Sequence, residues 1–580
     1  MERFVGSASS RVPPPPAPAW RCGVALVLAL ATVVVVDGRS GYEAASTGNN
    51  VTSVVSSRVA ASSSTRKSVT LICRSTPYPG ACKTALASAE AHRLVAGGEP
   101  FAASMKFTMS RATSARAMAR RLAASAGRSL PPSGFHDCAE LLEMSVCQLR
   151  DALAGSASDV EGATTWLSAA LTNQDTCTDS LAAASATAGR DALRRRVAAL
   201  ARFISTALAL HVGKVKVTPP SSAAPAPATT FPSWVTEHDR RLLESPAANI
   251  TPDAVVAQDG SGTHRSIGEA IAAVTEAASA AVGAEARGGV VVRGGVAQAG
   301  RKVIYVKAGR YVERVSITYQ QENVMLVGEG KGRTIIDSHN SVAGGYTTLS
   351  SATIAAMGAG FMARGLSIVN SAGRDKEQAV ALLVTGDRSV VYQCEIKAYQ
   401  DTLFTHSNRQ FYADTDIAGT VDFIFGNSAA VFQGCNIQAR GPVPGQQDVV
   451  TAQGRDDPNQ NTGFSFHRCR ITGAPDLGKT PVYLGRPWRK YARVVVMKSY
   501  MDGSISPAGW LAWSDPAALT TLYYGEYGNS GPGAGTNGRV TWKGVHTLMS
   551  AAEANEFTVA KLISGDSWLE STGVRYTSGL

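Results

Sequence analysis

Asp401 in YQDTLFTH and Asp422 in GTVDFIFG each stand among apolar and aromatic residues, where a carboxylate is costly unless it reaches water or a partner. An isolated acid in such a segment is ordinarily an edge or turn residue. The spacing argues for more. Each aspartate follows an isoleucine by five residues, Ile396 and Ile417, within short runs of the same pattern. If those runs are successive turns of a repeat, the two carboxylates share one phase, with backbones about 4.8 Å apart. Two carboxylates that close do not both ionise cheaply: one keeps its proton to higher pH while the other stays charged, which separates a general acid from a nucleophile or base. A purely structural stack would favour Asn or Thr at both places.

A carboxylate pair also suits glycoside hydrolysis, so the neighbours must decide. Gln400 directly precedes Asp401, and Gln378 lies one turn earlier in KEQAVALLV. Neutral amide donors suit an oxyanion developing on an ester carbonyl, although a buried glutamine is more often a plain hydrogen-bonder. In YLGRPWRKYAR, the fork of Arg486 can hold one aspartate ionised, and Trp488 offers a flat face to a sugar ring.

The elements that must position these residues show in two different grammars. From about residue 67 to 212 the text is rich in Ala, Leu and Arg, with apolar residues at three- and four-residue steps, which predicts an antiparallel helical bundle. KVTPPSSAAPAPATTFPSW then reads as a linker over 213–245. Beyond 246 the runs are short, β-branched and Gly-punctuated. Ile368, Ile396, Ile417, Ile437, Ile471 and Met501 recur at intervals of 28, 21, 20, 34 and 30 residues, the coil length of a β-solenoid with loops on one side. An antiparallel sandwich would also give short strands but not the recurring phase.

Composition is globular, 44% hydrophobic and 17% charged over 580 residues, long enough for two or three units. The net charge of +11 favours an acidic partner: nucleic acid, anionic lipid or a polyanionic polysaccharide. No zinc-type Cys/His spacing, phosphate-binding Gly-rich loop or basic helix with interleaved aromatics points to nucleic acid. The fourteen apolar residues Gly23 to Val36, behind Arg3, Arg11 and Arg21, predict a signal peptide or an uncleaved anchor over 1–36, with a spacer over 37–66. Export permits disulfides and makes Asn50 and Asn249 glycosylation acceptors.

QAVAL, YQDTLFTHSNRQFY, GTVDFIFGN, TAQGRDDPNQNTGFSFHRCRI, YLGRPW and LYYGEYGNSGPGAGTNGRV together resemble plant pectin methylesterases, over Val255 to Leu580. LICRSTPYPGAC, HDCAELLEMSV and WLSAALTNQDTC resemble the pectin methylesterase inhibitor module, an all-α four-helix bundle. The resemblance implies an all-β, right-handed parallel β-helix over 246–580 that hydrolyses methyl esters of homogalacturonan to pectate and methanol in the cell wall, with neither cofactor nor metal. It implies Asp422 as nucleophile, Asp401 as proton donor and later base, Gln378 and Gln400 as oxyanion donors, and Thr348, Gln378, Arg486 and Trp488 as substrate contacts. It pairs Cys73 with Cys82 and Cys138 with Cys177, leaving Cys147 as an extra thiol. The family commonly has a cysteine at Thr415, bridged to the counterpart of Cys435. It also implies an autoinhibitory pro-region, removed by a subtilisin-like protease at Arg240-Arg241-Leu242-Leu243, and separate inhibitor proteins as partners. Two alternatives use the same residues less well: a wall protein that binds pectin without turnover, and a lyase or glycosidase on the same polymer. Ser564 in SGDSW shows no His and Asp partners for serine hydrolysis.

Overall fold

A computed structural model describes residues 68–127, 131–182, 186–217, 251–285 and 300–580. The expected signal and spacer, the RRLL motif, and both glycosylation acceptors lie outside these residues.

The first module is built on four long helices, α1 (Pro100–Ala126), α2 (Gly134–Gly155), α3 (Val160–Ala182) and α4 (Ala188–Val217). Each presents an apolar stripe at helical spacing, and Leu141, Leu142, Leu167, Leu181, Leu193 and Leu200 meet in one buried core. Helix α4 continues five residues into the stretch expected as linker, so the bundle ends later than its sequence predicts. Disulfides join Cys73 to Cys82 and Cys138 to Cys177, the second tying α2 to α3. Cys147 is also disulfide-bonded, against the expectation of a thiol.

The second module is a parallel β-helix. The chain passes repeatedly through three sheets of parallel strands, which we call A (eleven strands), B (eight) and C (seven). In sheet B the six predicted repeat positions stack in register, Ile368 on Ile396, then Ile417, Ile437, Ile471 and Met501. All six are buried. A fully buried Ile contributes about 1.5–3 kcal/mol, so the ladder both defines and stabilises the register. Thr415 and Cys435 are neighbours in this coil-on-coil order, and Cys469 flanks Cys435 on its other side. Cys394, Cys435 and Cys469 are buried free thiols.

Helix α5 (Ile267–Glu285) interrupts what the sequence reads as strands alone. Its Ile267, Ala270 and Ile271, spaced for a helix, enter the same core as the β-helix interior. The outer face of sheet A is covered by the C-terminal segment, where Phe557, Ile563 and Trp568 pack with Phe411, Val431 and Val495.

Six of the seven sheet C strands place one residue each in register on the outer face: Ala355, Leu383, Phe404, Phe425, Ala452 and then Arg486. The first five belong to the apolar cluster of the bundle, so the helices sit on the outer face of sheet C.

Candidate active site

The corner between sheets B and C carries the two aspartates. Asp401 precedes the strand Leu403–Thr405, and Asp422 precedes Ile424–Gly426, one coil on. The register pairs Leu403 with Ile424, and the Asp401 amide donates to the Val421 carbonyl at 3.0 Å, so the aspartates occupy one phase of adjacent coils. Both corners turn through left-handed backbone, with φ of 62° at Asp401 and 52° at Asp422. Non-glycine residues seldom adopt this conformation, and Asp and Asn do so at least cost. The choice of aspartate therefore serves the turn as well as the chemistry.

The carboxyls differ in their partners. Arg486 reaches Asp422 with both arms of its fork, Nε to Oδ1 at 2.8 Å and Nη2 to Oδ2 at 2.6 Å. Asp401 accepts no such bond among the described residues. Burial pushes both carboxyls above their ordinary range, to 8% and 6% exposure. At Asp422 the bonds and charge of Arg486 oppose the shift. At Asp401 the charge of Asp422 adds to it and drives that carboxyl well above the usual carboxylate range. The pair is therefore asymmetric: Asp401 is pushed towards holding a proton, while Arg486 favours the charged form of Asp422 against burial, the division of labour expected of an acid and a nucleophile.

Trp513, unremarked in the sequence, carries the Arg486 guanidinium on its face at 3.9 Å and so fixes the fork from behind. Trp488 stands edge-on to Phe425, with ring centres 6.1 Å apart. Gly454 makes this seat: a Cβ there would lie 2.8 Å from the Trp488 ring. Phe404 and Phe425 stack at 4.2 Å, giving an aromatic floor that alternation alone does not announce. Gln400 and Gln378 are half-buried near Asp401, and neither side-chain amide has a partner among the described residues. Thr348 is half-buried, and the adjacent Thr347 bonds the bundle through Asp137 at 2.6 Å.

A third acid belongs to this region. Asp448 is fully buried, and neither of its carboxylate oxygens has a partner. Burial, with Asp476 and Asp422 as negative neighbours, pushes it up to about 9.

The bundle lies across this surface. Thr176 of α3 bonds the buried His406 at 2.9 Å, Thr172 accepts from Asn427 at 2.9 Å, and Thr165 accepts from Asn461 at 2.9 Å. These hydroxyls line one face of α3, and the polar residues beneath them have no sequence signal as a contact surface.

Comparison with known proteins bears on the family of the chain. The family model Pectinesterase matches residues 253–566, and the model Plant invertase/pectin methylesterase inhibitor matches residues 67–210. A probable pectinesterase/pectinesterase inhibitor 16 of Arabidopsis thaliana is 47% identical over 485 residues, covering 83% of this chain and 88% of the relative. Pectinesterase 2.1 of Solanum lycopersicum is 46% identical over 458 residues, covering 77% and 78%. Among solved structures, a pectin methylesterase from carrot is 48% identical, with a TM-score of 0.52, covering 57% of this chain and 99% of that one. The Pectinesterase model matched over 253–566, the inhibitor model ahead of it, and relatives 46% and 47% identical over most of their length place the chain in the pectinesterase family of carboxylic ester hydrolases.

Proposed function

We propose that this chain removes methyl groups from methyl-esterified homogalacturonan in the plant cell wall, with Asp422 as nucleophile and Asp401 as acid and then base. The observation that carries the reading is the Arg486 fork on Asp422 alone, beside an Asp401 left to hold a proton. The charged Asp422 attacks the ester carbonyl carbon, and the amides of Gln378 and Gln400 receive the developing oxyanion. Collapse expels methoxide, which takes the Asp401 proton and leaves as methanol. Asp401, now a carboxylate, takes a proton from water as that water attacks the acyl-enzyme. Collapse frees pectate and restores both groups. Trp488 and Thr348 hold the sugar ring.

The position of the bundle supports autoinhibition: α3 occupies the outer face of sheet C, where a polymer would have to lie to reach Asp422. Linkage makes the bundle's local concentration high, so modest affinity suffices. Cleavage after Arg240-Arg241-Leu242-Leu243 by a subtilisin-like protease would release it, and separate inhibitor proteins would use the same face afterwards. The test is methanol release from methylated polygalacturonate by the full chain and by residues 246–580. Activity confined to the shorter chain is expected. Equal activity would remove autoinhibition, and methanol from neither would remove the esterase reading.

A further inference from the structure

Where the chain turns from sheet A into sheet B, six successive coils place one residue each in left-handed backbone: Gln393, Asp414, Gly434, Arg468, Lys498 and Gly528, with φ between 48° and 67° at most and each within the region that favours glycine. The amides of the first five donate to the carbonyl that ends the sheet A strand of the next coil, at 2.7 to 3.2 Å, so the six stack as the rungs of a ladder. Glycine, asparagine and aspartate take this conformation at least cost. Arginine and lysine do not, and on adjacent rungs their backbones are about 4.8 Å apart, which sets two like charges side by side. Both are exposed. Arg470, two residues beyond Arg468 on the outer face of sheet B, is exposed too and lies over the Tyr500 ring at 4.4 Å. Among the described residues none of the three forms an ion pair, and Arg468 makes one long bond, 3.5 Å to the Thr577 hydroxyl. The acids of this region are spent elsewhere: Asp416 pairs with Lys331 at 2.9 Å, Glu395 accepts from Ser367 at 2.7 Å, and Asp502 accepts from the amides of Gly473 and Ser504 at 3.0 Å. Asp414 stands two rungs from Arg468, with Gly434 between. A lone exposed arginine is an ordinary solvated side chain. Two cations on consecutive left-handed rungs, with no compensating contact, go against the local preference of the fold, which is the pattern of a surface kept for a partner.

We propose that Arg468, Lys498 and Arg470 form a docking surface, remote from the cleft, for de-esterified stretches of an acidic polysaccharide, and that it holds the protein on the wall polymer. The identity of the partner rests on the esterase reading; the surface itself does not. Asp401 and Asp422 occupy the corner between sheets B and C, and the bundle covers sheet C, whereas this ladder runs along the corner between sheets A and B. It is therefore open in the uncut chain as well as in the cut one. Cations on consecutive rungs match a partner that repeats a negative charge along its length, and a free carboxylate gives each of them a charge-assisted bond that a neutral methyl ester cannot. The face of Tyr500 is taken by Arg470, so the surface offers no free ring on which a nucleic-acid base would stack. The net charge of +11 acts in the same direction at longer range, drawing a polyanion towards the protein before contact.

The full chain is the protein to use for binding, because the bundle lies over the cleft and leaves this corner exposed. Affinity for fully de-esterified polygalacturonate would be measured by calorimetry for the parent, for Arg468→Asn with Lys498→Asn, and for Arg468→Lys. Asparagine suits the left-handed rungs, so the melting temperature of the double variant should hold or rise. Its affinity should fall about tenfold, while Arg468→Lys should stay within about twofold of the parent. Residues 246–580, whose β-helix closes its own core without a bundle residue, serve for turnover. The same pair of substitutions should leave kcat/KM for methanol release from a short methylated oligomer unchanged. Undiminished affinity in the double variant, or no binding by the parent, would overturn the proposal while leaving the esterase reading intact. Affinity for phosphatidylserine vesicles that falls in the double variant, with affinity for polygalacturonate unmoved, would assign the surface to membranes and overturn it as well. Loss of methanol release from the short oligomer would put the two residues in the chemistry and count against it. Failure of the parent to release methanol from any substrate would remove the esterase reading alone, since a tenfold loss of polygalacturonate binding would still stand on its own.

Discussion

Arg486 grips Asp422 by two parallel bonds, and the same guanidinium lies over Trp513, so one arginine bears on both the charge and the aim of the carboxylate proposed as nucleophile. Burial alone raises the Asp422 carboxyl, and Arg486 opposes that rise. Arg486→Ala should therefore move the acid limb of the kcat profile to higher pH, besides lowering its plateau. A profile that falls uniformly, with its acid limb unmoved, would show that Arg486 acts on substrate alone.

Asp422→Asn should abolish methanol release while leaving oligogalacturonate binding, because the amide keeps the shape and loses the attacking charge. Asp401→Asn should cost about a hundredfold or more in kcat through loss of the proton for methoxide. Both asparagines accept the left-handed corner, so thermal unfolding should change little. Asp422→Val, by contrast, should be destabilised by about 1–2 kcal/mol from backbone strain.

Among the described residues, the half-buried side-chain amides of Gln378 and Gln400 have no partner that would be lost on truncation. Gln378→Ala should lower kcat about a hundredfold with unfolding temperature unchanged. A rise confined to KM would make it a positioning residue for substrate.

Burial and the charges of Asp476 and Asp422 push the Asp448 carboxyl up to about 9, far above the range of a solvated carboxyl. A carboxyl raised on folding contributes its full share of stability only below its unfolded pKa, near 4, and that share is lost as pH rises towards 9. Asp448→Asn should therefore match the parent in melting temperature near pH 4 and exceed it by a margin that grows towards pH 9. Parallel melting curves at all pH values would refute this.

The Cys138–Cys177 disulfide ties α2 to α3, the helix that lies over the site, across 39 residues of sequence. Closing such a loop is worth about 4 kcal/mol in the chain-entropy treatment. Replacing both cysteines with serine should loosen the bundle and raise methanol release by the full-length chain, with no effect on residues 246–580. Unchanged activity would mean that the cover does not depend on this tie.

The repeat ladder was legible because one strong signal, an apolar residue at fixed phase, recurs in every coil, and Ile368 to Met501 stack as that phase requires. From the ladder, the adjacency of Asp401 and Asp422 followed by counting. Helix α5 was hidden because its apolar spacing sits in an Ala-rich stretch next to strands, where period alone is ambiguous. The left-handed corners were hidden because aspartate in a turn and aspartate in catalysis look alike in a sequence. The contacts of α3 with His406, Asn427 and Arg489 were hidden for another reason. They join residues more than two hundred positions apart through hydroxyls and acids that carry no periodicity.

The left-handed turns at 401 and 422 also constrain how such a chain can lose its activity over generations. Asparagine is one base change from aspartate and keeps the corner, so drift away from catalysis should pass through it and leave a folded, silent polymer binder. Branched aliphatic residues would break the coil first and be purged as misfolded. Asparagine at either corner, in an otherwise intact sequence, would then mark a retired enzyme rather than a damaged one.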